Sequence, residues 1–193
     1  MLRGNSYMQN EETKILNEWK NEHDEKIFFL TLDLGAEIHW FFTQALEAMK
    51  QSLYLPACSC FINGIEASIR ITYAKQTSSS TNDLNALTSI PTLSNNLLKN
   101  AQMINMPVNS LKFPNENNFE ANLDSKKPDL KHVEIVRVRH NLAHGNIFEY
   151  INSELGDDNL LFTPECCREL AEILYAISKD WCMQLSEFKK DNI

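Results

Sequence analysis

Apolar residues recur at intervals of three and four along most of this chain, the spacing of helices that bury one face. Ile15, Leu16 and Trp19 predict a short first helix, and Ile27, Leu30, Leu34, Ile38, Phe41, Ala45 and Met49 predict a long second one. Pro56 suits the first turn of a third helix, whose small and apolar stripe is Ala57, Cys60, Phe61, Gly64, Ile65, Ser68, Ile69, Thr72 and Tyr73. Gly64 on that stripe would let a neighbouring element approach closely. A fourth helix is expected from Pro128-Asp129 to Gly145-Asn146, a pair suited to a helix C-terminus. Thr163-Pro164-Glu165 supplies an N-cap, a first-turn proline and an early acid for a fifth, with Leu170, Ile173, Leu174, Ile177, Trp181, Leu185 and Phe188 on its apolar face. No comparable period-two pattern marks a strand, and five Gly leave little turn chemistry for a β-fold. The expected fold is an all-α bundle of four to five main helices in one domain.

Between the third and fourth helices lie about fifty residues, Gln76 to Lys127, far more than a compact domain normally uses to join two elements. Ser78 to Asn82 reads as a mobile start. Leu93, Leu97, Leu98, Ala101 and Ile104 suit a short amphipathic helix closed off by Pro107, and Phe113, Phe119 and Leu123 can pin the strip to the body. The expectation is a partly ordered insertion over 76–127, serving as a lid or an RNA guide outside the core.

Composition narrows the classes. At 193 residues and 43% hydrophobic content the chain can build a sizeable core. Cys58, Cys60, Cys166, Cys167 and Cys182 read as reduced, mostly buried thiols, with no disulfide framework expected. No apolar run reaches membrane-spanning length, and the first residues lack the apolar core of a signal peptide, so a cytoplasmic protein is expected. A net charge of -8 argues against broad coating of nucleic acid, which depends on basic residues displacing counterions. A local site remains open: from Lys126 to Arg139 five basic residues (Lys126, Lys127, Lys131, Arg137, Arg139) face two acidic ones (Asp129, Glu134), a balance of +3.

That positive stretch runs into Arg139-His140-Asn141-Leu142-Ala143-His144-Gly145. A guanidinium forks onto phosphate oxygens and an imidazole titrates near neutrality, so the pair suits acid-base work on a phosphodiester. The string closely resembles the "RN-x-x-AHG" form of the signature of the HEPN superfamily, all-helical domains that include many metal-independent ribonucleases. His140 stands where a polar residue usually follows the Arg, with the Asn one place later. HEPN toxins paired with a nucleotidyltransferase antitoxin carry a Tyr shortly after the motif His, where this chain has Asn146, Ile147 and Phe148.

The resemblance implies an endoribonuclease of toxin or phage-defence type with no metal and no cofactor, and catalytic Arg139 and His144. It implies RNA as substrate, a homodimer whose two motif helices form one cleft, and an antitoxin or regulatory protein as a further partner. The reaction fitting these groups is attack of the ribose 2′-hydroxyl on the adjacent phosphorus, with His144 moving the proton, Arg139 neutralising the phosphorane oxygens and Asn141 orienting the phosphate or the imidazole. His140, Arg137 and Lys131 are candidates for RNA contact, His140 alternatively for the partner subunit.

Helix geometry complicates a one-chain site. Positions five apart on a straight helix differ by roughly 140°, so Arg139 and His144 point apart whereas His140 and His144 share a face. Either the arginine sweeps round where the helix loosens at Gly145, or a second copy across a twofold axis completes the site, with Ile135, Val138 and Leu142 as an apolar stripe to bury. His140 and His144 also have the i, i+4 spacing of a zinc pair, to which Cys166, Cys167 or Glu169 could add ligands. Glu66 borders the apolar stripe of the third helix and needs a partner; Arg139 is one candidate and Arg70, four residues on, the other. His23, His39 and His132 carry no usable spacing. The alternative function is a noncatalytic HEPN-like module that binds RNA or protein.

Overall fold

The stripe that runs from Ile27 to Met49 is cut in two at Gly35. Residues 27–31 are helical, residues 32–34 bend, and Gly35 takes φ +109, a conformation natural to glycine, before α1 (Ala36–Lys50) begins. The break resets the phase. Phe29 and Phe42 are fully buried and stack with ring centroids 4.8 Å apart, whereas Leu30 is exposed and Phe41 only half-buried. This computed structural model describes residues 14, 20, 23–25, 27–77, 89–152 and 161–192. Ile15, Leu16 and Trp19 of the expected first helix, and Ser78 to Asn82 of the insertion, lie outside them.

The chain turns at Gln51–Leu53 into α2 (Tyr54–Thr77), which packs along α1. Gly64 permits the close approach: a Cβ built there would lie 2.9 Å from the Phe42 ring. Packed against α2 in turn is α6 (Arg168–Asn192), burying Leu170, Leu174, Ile177, Trp181, Leu185 and Phe188. The Trp181 indole donates to Ser68 Oγ at 2.8 Å, which satisfies a polar pair that is fully buried. A 3-10 turn, Pro164–Cys167, leads into α6, with the Thr163 amide donating to Cys166 Sγ at 3.2 Å. The fifth predicted helix therefore opens where Thr163-Pro164 placed it, but with a tighter first turn. All five cysteines are free thiols.

The second half of the insertion is core. α3 (Asn95–Met103) is capped by Ser94, whose hydroxyl accepts from the Leu97 amide, and buries Leu97, Leu98 and Ala101. It stops at Met103, short of Pro107, where Asn105 turns the chain with φ +62. A 3-10 turn, Val108–Leu111, then packs on α6, and α4 (Phe119–Asp124) buries Phe119 and Leu123. Fully burying a side chain such as Leu or Phe contributes about 1.5–3 kcal/mol. Leu93, Leu97, Leu98, Leu111, Phe119 and Leu123, each at 2% exposure or less, thus make this strip a structural wall and not a lid.

α5 (Glu134–Ala143), the motif helix, starts six residues after the Pro128 expected to open it. Ser125 Oγ donates to the Lys131 carbonyl at 2.9 Å and accepts from the Lys131 amide at 2.8 Å, closing residues 125–131 into a loop that cannot be helical. Among the described residues the chain is helical apart from turns and an isolated antiparallel bridge, Asn152 to Leu161. None of its described helices is long and apolar enough to cross a membrane.

Candidate functional site

The inserted wall fixes the start of α5. Asn95, only 4% exposed, accepts from the Val133 amide at 3.3 Å and donates to the carbonyls of Lys131 and Asn122 at 2.8 and 2.9 Å. Glu116 accepts from the Glu134 amide at 2.7 Å and from Phe113 at 3.3 Å, so side chains of the wall satisfy two of the orphan donors of the α5 N-terminus. Burial raises the Glu116 carboxyl above its ordinary range, with the two amides opposing that rise. Further along, Ile135, Val136 and Val138 are fully buried in the chain's own core. The apolar stripe proposed for a dimer contact is therefore already covered at Ile135 and Val138, leaving only Leu142 partly open.

At its other end α5 closes as glycine-terminated helices do. Gly145 has φ +68, its amide donates to Leu142, and the Asn146 amide reaches back to the Asn141 carbonyl at 2.8 Å. His144 is the last capping residue and is exposed.

Polar side chains of α5 divide into two sets. Arg139 turns toward α2, where its Nε donates to Glu66 Oε2 at 3.2 Å; the side chains are 22% and 12% exposed. There Arg139 lines a cavity of about 260 Å³ with Ser59, Ile62, Asn63, Leu142 and Ala143. Arg70, the other candidate partner for Glu66, donates to the Ile90 carbonyl at 3.2 Å.

On the opposite side Arg137 makes two contacts each with Glu134 and Glu149, and these bonds keep its guanidinium firmly charged. Asn141 Nδ2 donates to Glu149 Oε1 at 2.9 Å while its carbonyl oxygen accepts from Asn146. Burial pushes the Glu149 carboxyl up, but hydrogen bonds from Asn141, Arg137 and Tyr150, with the Arg137 charge, bring it below the ordinary range. Arg137 and Glu149 open onto a cavity of about 430 Å³ that Glu134, Glu165 and Glu169 also line. Four carboxylates around one guanidinium make that cavity a poor host for phosphate. Arg137 and Asn141 are occupied within the fold, and Lys131 is exposed with its backbone held by Asn95 and Ser125.

Between these sets runs a row of imidazoles. His140 and His144 lie with ring centroids 5.9 Å apart and planes within 11°, and the His132 centroid lies 5.2 Å from that of His140. His132 precedes the helix, which is why helical spacing hid it; only its place eight residues before His140, in the basic stretch, pointed there. Burial first, then the charges of His132, Arg139 and His144, hold the His140 imidazole below its usual range. Among the described residues no group of three or more His, Cys, Asp or Glu is placed to hold a metal ion.

Close to the motif, Phe148 and Phe162 are 69% and 53% exposed and meet with centroids 6.3 Å apart, beside exposed Leu161. Comparison of the chain with protein-family models, with curated proteins and with solved structures finds no match.

Proposed function

We propose that this chain is a metal-independent endoribonuclease of the HEPN type, acting on RNA in the cytoplasm as a toxin or phage-defence effector. The observation that carries the reading is the end of α5, where near-parallel His140 and His144 reach solvent within about a turn and a half of an arginine held in place by a buried carboxylate. Proton transfer and charge stabilisation are what transesterification of RNA requires, and both groups stand on one short helix. In this reading His144 moves a proton, Arg139 stabilises the phosphorane oxygens, and Glu66 holds the guanidinium without taking part in the chemistry. The 2′-oxygen attacks phosphorus, the bond to the 5′-oxygen breaks, and the products end in a 2′,3′-cyclic phosphate and a 5′-hydroxyl.

Arg139 turns toward Glu66 while His144 is exposed at the end of α5, and positions five apart on a helix differ by roughly 140°, which disfavours one copy gathering both around one phosphate. A twofold homodimer would set the His144 of each copy against the Arg139 of the other. With Ile135 and Val138 buried, the apolar surface near the motif that a second chain could cover is Phe148, Leu161 and Phe162. The same patch favours a second reading, a noncatalytic HEPN-like module binding RNA or a protein such as an antitoxin, because exposed paired aromatics beside the motif serve binding without catalysis.

The deciding experiment incubates purified full-length protein with mixed RNA in excess chelator and examines the product ends. Cyclic-phosphate ends that disappear in the H144A variant support the ribonuclease. Intact RNA, or equal cleavage by the double variant R139A/H144A, leaves the binding module.

A further inference from the structure

Resting on the ribonuclease reading, we infer that His140 is a second catalytic imidazole: neutral His140 takes the proton from the 2′-hydroxyl, and protonated His144 gives one to the departing 5′-oxygen. His132 is a positioning residue that acts through His140. The argument begins with the two apical oxygens of a phosphorane, which lie on opposite sides of phosphorus and need opposite proton movements in one step. Rings four residues apart, near-parallel and 5.9 Å between centroids, can each serve one of those oxygens, whereas a lone imidazole would have to serve both.

Such a pair also requires different charge states at one pH. The groups acting on His140 are His132 from the segment before α5 and Arg139 and His144 from α5 itself, all of them cationic or able to become so. With partial burial, they favour the neutral form at His140, the form a base needs. His132 holds its place because buried Asn95 grips the backbone on both sides of it, at the Lys131 carbonyl and the Val133 amide. The insertion thereby contributes to the site. The step balances: His140 gains the 2′ proton, the O2′–P bond forms as P–O5′ breaks, the 5′-oxygen takes its proton from His144, and water exchange restores both rings.

The test uses full-length protein and an oligonucleotide with one ribonucleotide at the cut position, made with either oxygen or sulfur as the 5′ leaving atom. A thiolate departs without a proton. H144A is expected to lose about 10² to 10⁴ in single-turnover rate on the oxygen linkage and to recover on the sulfur linkage. H140A and H140N are expected to lose a similar factor on both. H132N is expected to move the acidic limb of the pH-rate profile to higher pH, because a cation beside the base is gone. Rescue of H140A by sulfur, or H140A cleaving within about threefold of wild type on oxygen, overturns the assignment while leaving the ribonuclease in place. Wild-type protein that cleaves neither linkage nor any natural RNA overturns the ribonuclease reading and this inference together.

Discussion

Arg139 and Glu66, 73 positions apart in sequence, form a largely buried ion pair that ties α5 to α2, with Nε 3.2 Å from Oε2. Breaking such a pair from one side strands a charge, which costs about 3–5 kcal/mol at full burial and less at the 12–22% exposure found here. Glu66→Ala is expected to destabilise the fold by about 1–3 kcal/mol in urea unfolding and to lower any cleavage activity, by releasing the guanidinium. The double change Glu66→Leu with Arg139→Met should recover most of the stability and none of the activity. Glu66→Ala with unchanged unfolding midpoint and unchanged activity would dismiss Glu66 as the residue that holds Arg139.

The grip of Asn95 on the loop before α5 makes a second expectation. Its amide bonds three backbone groups; losing it strands the Val133 amide, at about 1–3 kcal/mol, while the Lys131 and Asn122 carbonyls keep their bonds from Ser125. Asn95→Ala should therefore destabilise the chain by about 1–3 kcal/mol and loosen the amide of Val133 more than that of Glu134, which Glu116 still holds. Hydrogen exchange at those two amides is the direct readout; protection equal to wild type would show that the loop holds itself. Removal of residues 89–127 should abolish cooperative unfolding, since it takes away α3, α4 and the buried side chains of the wall.

Much of this was legible in the apolar spacing. The stripes of α2 and α6 were readable because each is one uninterrupted helix, so Phe61, Ile65, Ile69, Leu174, Trp181 and Leu185 kept a single phase. The stripe across Gly35 was right at Leu34, Ile38 and Ala45; Leu30 was taken for Phe29 because a bend resets helical phase and leaves no mark in the spacing beyond one glycine, and Phe41 for Phe42 by choosing i+3 over i+4 from Ile38. Loop residues escaped altogether. His132 and Glu149 join α5 through tertiary folding, and nothing in their neighbours' periodicity encodes the contact. Likewise the acidic surroundings of Arg137 come from Glu149, Glu165 and Glu169, which follow it by 12 residues or more, so a local charge count overstated its availability.

Two glycines should respond differently to added bulk. At Gly64 a Cβ would sit 2.9 Å from the Phe42 ring and 3.2 Å from the Phe41 Cβ, and Phe42 is fully buried, so Gly64→Ala must push helices apart. A loss of about 1–3 kcal/mol is expected. At Gly145 a Cβ meets nothing within 4 Å, but φ +68 is left-handed. Gly145→Ala should cost about 1–2 kcal/mol through backbone strain, and Gly145→Asn less, because Asn tolerates that conformation. Thermal melts rank the three; Asn no better than Ala would argue against strain as the cause.

Stability should carry the signature of His140. Its folded imidazole titrates below the usual range, by burial and then by the charges of His132, Arg139 and His144, whereas an unfolded imidazole titrates near about 6.5. Between those two values the unfolded chain binds more protons. The associated stability is therefore fully present above about pH 6.5 and is lost as pH falls through it, until folded His140 protonates as well. Solvent screening keeps the effect small, since the ring is partly exposed. Urea midpoints measured between about pH 7 and 5 should fall less steeply in His140→Asn than in wild type; parallel slopes would place the proton uptake elsewhere.

The last expectation separates anchoring from proton transfer. Arg139 brings a fixed charge to RNA, whereas exposed His144 at the helix end contributes mainly through the proton it moves. Arg139→Ala should weaken RNA binding and reduce the slope of log affinity against log salt by roughly one phosphate contact, about 0.7 for a single strand. His144→Ala should bind RNA nearly as wild type and lose about 10² to 10⁴ in cleavage. RNA carrying a 2′-deoxy sugar at the cut position should bind both wild type and His144→Ala and stay intact with each, because the attacking oxygen is absent. Cleavage of that deoxy-substituted RNA by wild-type protein would require water as the nucleophile, and the 2′-hydroxyl mechanism would fall even though the protein remained a nuclease.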